Sequence, residues 1–264
     1  MSIVKIVLFV ILLYLLFCGL IYLLQEKFIF FPQKLSSDYP FQFPGRYEEI
    51  NIRAADGVQL NGVHFRADES KGLIFYLHGN AGSLKGWGEI AEIYTDLSYD
   101  LFMPDYRGYG KSGGRIRSER QFYDDMQLAY DHLKQYYPDG RIIILGYSLG
   151  SAAAAKLAAK NNPHLLILQA PFYSLTDLKK RYFPIVPGFL LKYKFETYTY
   201  IQDCIMPIVI FHGDKDEIIY YGSSLKLKEL MKENDRLITL QGQYHNGISV
   251  NVQYLMELEK ILSD

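Results

Sequence analysis

A serine flanked by glycines at the end of an apolar run is a candidate nucleophile, and Gly146-Tyr147-Ser148-Leu149-Gly150 has that form. It follows the Ile-rich stretch Arg141–Leu145 and opens an Ala-rich segment, Leu149–Lys160, of high helix propensity. A sharp strand-to-helix turn of this kind exposes the serine only if its neighbours carry no side chains, which is the use of the two glycines. A serine hydroxyl is a weak nucleophile until a base takes its proton and an acid orients that base. His245, in Gly242-Gln243-Tyr244-His245-Asn246, is the only histidine after the last expected strand, Leu237–Leu240, and is the candidate base. The acid should follow the apolar run Ile208–Phe211, where His212-Gly213-Asp214-Lys215-Asp216-Glu217 offers three carboxylates. Local chemistry does not choose among Asp214, Asp216 and Glu217.

A fourth element lies upstream. Leu77-His78-Gly79-Asn80-Ala81-Gly82 is a Gly-rich loop after the apolar run Leu73–Leu77. Such a loop presents a backbone N–H to a developing oxyanion, together with the N–H of Leu149 just after the nucleophile. His78 reads as a buttress of this loop rather than a proton carrier, and His64, His132 and His164 read as surface or structural residues.

These residues require a frame of alternating strands and helices. Two strand-like stretches, Tyr47–Arg53 and Val58–Phe65, flank Asp56-Gly57, a hairpin signal. The pattern then alternates through Leu73–Leu77, a helix around Trp87–Leu97, Asp100–Met103, a helix over Ser118–Tyr137, Arg141–Leu145, Leu149–Lys160, Leu165–Leu168, Ile208–Phe211, Ser223–Met231, Leu237–Leu240 and Ile248–Leu262. A hairpin followed by repeated strand–helix units predicts an α/β fold with a mostly parallel sheet covered by helices. Residues 171–206 break the alternation with prolines and aromatics, and read as a small cap insertion over the carboxyl edge of the sheet.

The first 27 residues are of another kind. Ile6 to Leu24 carries no charge, and at 1.5 Å per residue it spans roughly 28 Å, close to a hydrocarbon core. Tyr22, Lys5 and Lys27 stand where interfacial anchors would. The run is long for a signal peptide, and no Ala-x-Ala-like site follows it. Leu16-Phe17-Cys18-Gly19 places Phe17 where a lipoprotein cleavage box needs a small residue. Residues 1–27 are therefore expected to be an uncleaved, single-pass membrane anchor. Residues 28–46 read as a juxtamembrane linker, and 47–264 as one catalytic domain.

Composition excludes several classes. A net charge of -1 over 264 residues gives no electrostatic case for nucleic acid. Hydrophobic content of 49% argues against disorder. Cys18 and Cys204 are the only cysteines, so a disulfide framework is excluded, and no spacing resembles a zinc or iron–sulfur site. Gly108-x-Gly110-x-x-Gly113 fits a dinucleotide fingerprint literally, but Gly114-Arg115-Ile116-Arg117 follows where a helix should open. Gly110-Lys111-Ser112 lacks the glycine five places earlier that a phosphate loop needs, since Asp105 stands there.

Taken in order, His78-Gly79-Asn80-Ala81-Gly82, Asp105-Tyr106-Arg107-Gly108-Tyr109-Gly110-Lys111-Ser112, Gly146-Tyr147-Ser148-Leu149-Gly150, His212-Gly213-x-x-Asp216 and His245 resemble the α/β-hydrolase superfamily. The resemblance is nearest to its Bem46-like branch, also related to the serine aminopeptidases, and extends to Phe30-Phe31-Pro32 after the anchor. It covers essentially the whole chain. It implies that the acid is Asp216 and that the oxyanion donors are the amides of Asn80 and Leu149, with Ala81 a neighbouring alternative to Asn80. Gln243 and Tyr244 depart from the glycines that often precede the family's histidine. The reaction implied is acyl transfer to water, needing no metal or organic cofactor. A membrane anchor and an aromatic insertion favour a small-molecule or acylated, lipid-like ester or thioester as substrate. The same residues would serve a peptidase, and a non-catalytic tethered scaffold is the remaining alternative.

Overall fold

The computed structural model describes residues 2–263. The chain begins with a long helix, α1 (Ile3–Ile29). It continues through β1 (Arg46–Arg53), β2 (Gln59–Arg66), β3 (Leu73–Leu77), β4 (Asp100–Pro104), α2 (Glu119–Lys134), β5 (Ile142–Tyr147) and α3 (Leu149–Asn161). The second half runs β6 (Leu165–Gln169), α4 (Leu175–Tyr182), α5 (Thr197–Asp203), β7 (Ile208–Gly213), α6 (Gly222–Lys228), β8 (Arg236–Leu240) and α7 (Val252–Ser263).

The eight strands form one sheet in the order β1-β2-β4-β3-β5-β6-β7-β8. Only β2 runs against its neighbours; the pairs from β4 through β8 are parallel. The expected hairpin is present, with Gly57 at φ +83° turning the chain and Ala54 N–H donating to Val58 O at 2.8 Å. Side-chain alternation divides the core into two faces. Leu73, Phe75 and Leu77 pack with Phe102, Tyr130, Ile144 and the alanines of α3. Ile74 and Tyr76 point the other way, toward Met103, Leu145, Tyr254 and Leu258 of α7. A strand buried on both faces reads as a continuous apolar run, which is why β3, β5 and β6 stand out in the sequence.

The helix expected around Trp87–Leu97 is broken instead: Leu84–Trp87, a 3-10 turn Gly88–Ile90, and Ala91–Thr95. Glycine, a poor helix former, is required at the break, since a Cβ on Gly88 would lie 2.4 Å from the Phe43 ring.

Segment 28–46 is not a free linker. Helix α1 continues to Ile29, and Phe31–Pro32 forms a parallel two-residue ladder with Ala81–Gly82. Leu35 N–H then donates to Gly110 O, and Gly110 N–H to Gln33 O, both at 2.9 Å. Sequence pattern gives no warning of this, because a two-residue strand has no periodicity and its partner lies fifty residues away.

Candidate active site

Ser148 sits between β5 and α3 with φ +50° and ψ −112°, a conformation that ordinary side chains avoid. Such strain costs on the order of 1–3 kcal/mol and persists only where neighbours over-determine it. Here Ser148 N–H donates to Gln169 O at 2.9 Å, and Ser151 N–H donates to Ser148 O at 3.0 Å. The flanking glycines are steric necessities. A Cβ on Gly146 would lie 2.5 Å from the Ala154 Cβ, and one on Gly150 would lie 2.0 Å from Leu77 O.

The loops after β7 and β8 bring two further groups to this turn. His245 Nε2 is 3.2 Å from Ser148 Oγ, and His245 Nδ1 is 2.7 Å from Asp216 Oδ2. All three residues are buried. Of the three carboxylates left open by local chemistry, only Asp216 meets the imidazole through its side chain. Asp214 instead accepts from Gly242 N–H at 2.7 Å, and Glu217 from the His245 backbone N–H at 3.3 Å.

Asp216 is held by more than His245. Its Oδ1 accepts from the N–H groups of Ile218 and Ile219 at 2.9 and 2.7 Å. Its Oδ2 also lies 3.2 Å from His212 Nε2. His212 Nδ1 is 2.6 Å from Ser224 Oγ and Nε2 is 2.9 Å from Ile219 O. A carbonyl can only accept, so Nε2 carries the proton and Nδ1 accepts from the serine. Burial by itself would raise the Asp216 carboxyl, but the hydrogen bonds from His212 and His245 hold it well below the usual carboxylate range. His212 was not singled out in the sequence as a partner of the acid. Its position, four residues before Asp216 at the end of a strand, was the available signal.

The Gly-rich loop is clamped from three sides. Gly150 packs on the carbonyls of Leu77 and His78, which sets the start of α3, and with it the Leu149 amide, against this loop. Tyr106 Oη donates to His78 O at 2.6 Å, and Tyr109 Oη to Asn80 O at 2.8 Å. His78 is fully buried, 2.7 Å through Nδ1 from Gly79 O and 3.3 Å through Nε2 from Asp105 Oδ1, a buttress as the sequence suggests. The third clamp is the strap after α1. Phe31 N–H donates to Asn80 O at 3.0 Å, Gln33 N–H to Gly82 O at 2.8 Å, and the Asn80 side-chain amide to Ile29 O at 3.1 Å.

Asp105 precedes the glycine-rich loop Gly108–Gly114. It accepts from Leu84 N–H at 3.1 Å, and a Cβ on Gly110 would lie 1.8 Å from its Oδ2. Gly108 N–H donates to Gly113 O, so the loop closes on itself, and no helix follows before Glu119. Of the other histidines, His64 on β2 is buried against Phe102 and Tyr137, while His164 is exposed.

An apolar groove of about 340 Å³ adjoins the site, lined by Ala81, Trp87, Ile90, Tyr147 and Val250 among others. Trp87 stacks over His78 and packs on Tyr147 with ring centroids 5.7 and 5.3 Å apart. The Tyr147 hydroxyl donates to His245 O, tying the groove wall to the histidine loop.

A sheet with a single antiparallel strand near one edge, and a strained serine between its fifth strand and the following helix, defines an α/β hydrolase. An esterase of Pyrococcus furiosus superimposes with a TM-score of 0.69 at 20% identity, covering 89% of this chain and 97% of that one. The family described as serine aminopeptidase, S33, matches residues 68–198. Protein bem46 of Schizosaccharomyces pombe is 32% identical over 219 residues, spanning 76% of this chain and 73% of bem46. YfhR of Escherichia coli is 29% identical over 214 residues, spanning 76% and 74%. The chain belongs to the Bem46-like family of α/β hydrolases.

Proposed function

We propose that this hydrolase is a membrane-anchored serine esterase or thioesterase acting through Ser148, His245 and Asp216. The observation that carries the reading is the continuous chain Asp216–His245–Ser148, at 2.7 and 3.2 Å, ending on a strained serine. Ser148 Oγ forms a bond to the substrate carbonyl carbon as its proton passes to His245 Nε2. The resulting oxyanion meets the amides of Asn80 and Leu149. As the tetrahedral centre collapses, the C–O or C–S bond breaks and His245 returns the proton to the departing alcohol or thiol. Water then repeats the sequence on the acyl-serine and releases the acid.

The apolar groove and an N-terminal helix long and apolar enough to cross a membrane favour an acylated substrate. The serine aminopeptidase family match favours a peptidase as the second reading. Fluorophosphonate labelling of membrane fractions tests the mechanism. Labelling of the unmodified chain that vanishes in both Ser148→Ala and His245→Ala is expected. Unchanged labelling of Ser148→Ala would overturn it. Parallel turnover of p-nitrophenyl acyl esters and aminoacyl p-nitroanilides separates the two readings. Retention of the chain in the pellet after carbonate extraction tests the anchor.

A further inference from the structure

The insertion between β6 and β7 carries an uncharged stretch, Phe183-Pro184-Ile185-Val186-Pro187-Gly188-Phe189-Leu190-Leu191. Phe183, Ile185 and Phe189 leave 64, 68 and 84% of their surface exposed. Large apolar side chains clustered so openly mark a surface meant for something other than water.

What lies beside the stretch is α1. Tyr14 Oη donates to Ile185 O at 2.9 Å, the Gln25 side chain donates to Leu190 O at 3.1 Å, and Lys192 N–H donates back to Gln25 Oε1 at 2.8 Å. Lys192 Nζ pairs with Glu26 at 3.1 Å, and Cys18 is buried on the same helix face. Tyr14 and Gln25 are separated by about 16 Å along a helix rising 1.5 Å per residue. The stretch therefore runs beside the C-terminal half of α1 rather than touching it at one end.

Two further observations fit immersion. Pro184 and Pro187 have no N–H to satisfy, and four of the seven N–H groups in the stretch, those of Phe183, Val186, Leu190 and Leu191, are bonded within the protein, while those of Ile185, Gly188 and Phe189 are not. Backbone at membrane depth needs its donors met internally. Cations also bracket the stretch: Lys179, Lys180 and Arg181 precede it, and Lys192 and Lys194 follow it, with Lys27 at the end of α1.

We infer that residues 183–191 are a second membrane-inserted element, packed on α1 and surrounded by the acyl chains of the same leaflet, with the flanking cations at the headgroups. This rests on α1 being a membrane anchor. It deepens the proposed function, because α1 ends at Ile29, whose carbonyl already bonds the Asn80 side chain. Two points of insertion would hold the active-site face at the bilayer surface, where an acyl ester or thioester is presented with its chain still in the membrane.

The test is tryptophan quenching in the full chain, reconstituted in phosphatidylcholine nanodiscs. The single native tryptophan is first removed as Trp87→Phe. On that background, Leu16→Trp reports on α1, Phe189→Trp on the insertion and Tyr136→Trp on the exposed far surface. Brominated acyl chains are expected to quench Leu16→Trp and Phe189→Trp to similar extents, and aqueous iodide to quench only Tyr136→Trp. Quenching of Leu16→Trp by lipid, with Phe189→Trp quenched only by iodide, overturns the second insertion and leaves the anchor standing. Failure of lipid to quench Leu16→Trp overturns the anchor and this inference together. Ile185→Glu/Phe189→Glu supplies the functional readout. It is expected to keep the labelling rate with a soluble fluorophosphonate while turnover of long-chain esters in vesicles falls about tenfold. An equal loss on short soluble esters argues against it.

Discussion

Replacing Asp216 by Asn tests the acid most sharply, because the structure dictates how the new side chain must sit. The Oδ1 of Asp216 accepts from two backbone amides at 2.9 and 2.7 Å, while Oδ2 faces His245 at 2.7 Å. An asparagine has one acceptor atom and one donor group. With its NH2 turned toward the amides of Ile218 and Ile219, donor would face donor and two bonds would be lost, at about 1–3 kcal/mol each. The favoured orientation keeps Oδ1 on the amides and points the NH2 at His245 Nδ1, with the His212 Nε2 proton left to the Ile219 carbonyl alone. That nitrogen must then accept, so the proton moves to Nε2, which faces Ser148 and can no longer take its proton. A loss of about 10⁴ in kcat is expected, or about 5.4 kcal/mol at 1.36 kcal/mol per tenfold. Asp214→Asn and Glu217→Gln should stay within about threefold, as substitutions outside the chain of proton transfer. The assay is hydrolysis of p-nitrophenyl butyrate by purified protein in detergent, with thermal midpoints confirming that each variant is folded. Retention of activity within tenfold by Asp216→Asn, or an equal loss in Asp214→Asn, would refute the reasoning.

Gly150→Ala would drive a Cβ to 2.0 Å from the Leu77 carbonyl, so the start of α3 must retreat from the oxyanion loop. Labelling by a fluorophosphonate should fall at least about a hundredfold on loss of an oxyanion donor, and the thermal midpoint should drop with it. Gly140→Ala, which meets nothing within 4 Å, should change neither. Burial of His64, helped by the Arg66 charge, lowers its pKa from 6.5 to about 4. Below pH 6.5 the unfolded chain takes up a proton that the folded chain refuses, so His64 contributes stability fully only above that pH. The contribution falls by about 2 kcal/mol by pH 5 and continues to fall toward pH 4. Differential scanning fluorimetry in detergent should show a smaller acid-induced fall in the thermal midpoint for His64→Gln than for the unmodified chain. The same fall in both would contradict this.

Much of the frame was legible because its signals are local. Strands β3, β5 and β6 are apolar runs bounded by turns, and α3 opens directly after β5. Gly146 and Gly150 announce the turn at Ser148 because only glycine tolerates the contacts made there. The order of the sheet was legible only in outline, as mostly parallel, since strand order depends on crossovers that periodicity does not encode. The choice of Asp216 was not legible from local chemistry at all. Three carboxylates within four residues look alike in one dimension, and they differ only in which way β7 releases the chain toward His245.

Residues 28–46, read from the sequence as a juxtamembrane linker, make contacts that the sequence does not announce. The actual contacts are backbone bonds, from Phe31 N–H and Gln33 N–H to the carbonyls of Asn80 and Gly82, and backbone bonds leave almost no trace in side-chain pattern. Their placement has a mechanical consequence. The amide of Asn80 can stabilise an oxyanion only if the peptide that carries it is fixed before the charge develops, because reorienting a loose dipole would cost what the interaction returns. The 78–82 loop is not part of the main sheet, and its two-residue ladder is formed with the strap rather than with any central strand. Its order is thus supplied in part by the chain leaving α1. The same few residues end the apolar helix and brace the proposed oxyanion hole, so the position of α1 and the geometry of the site are set together rather than joined by a flexible tether.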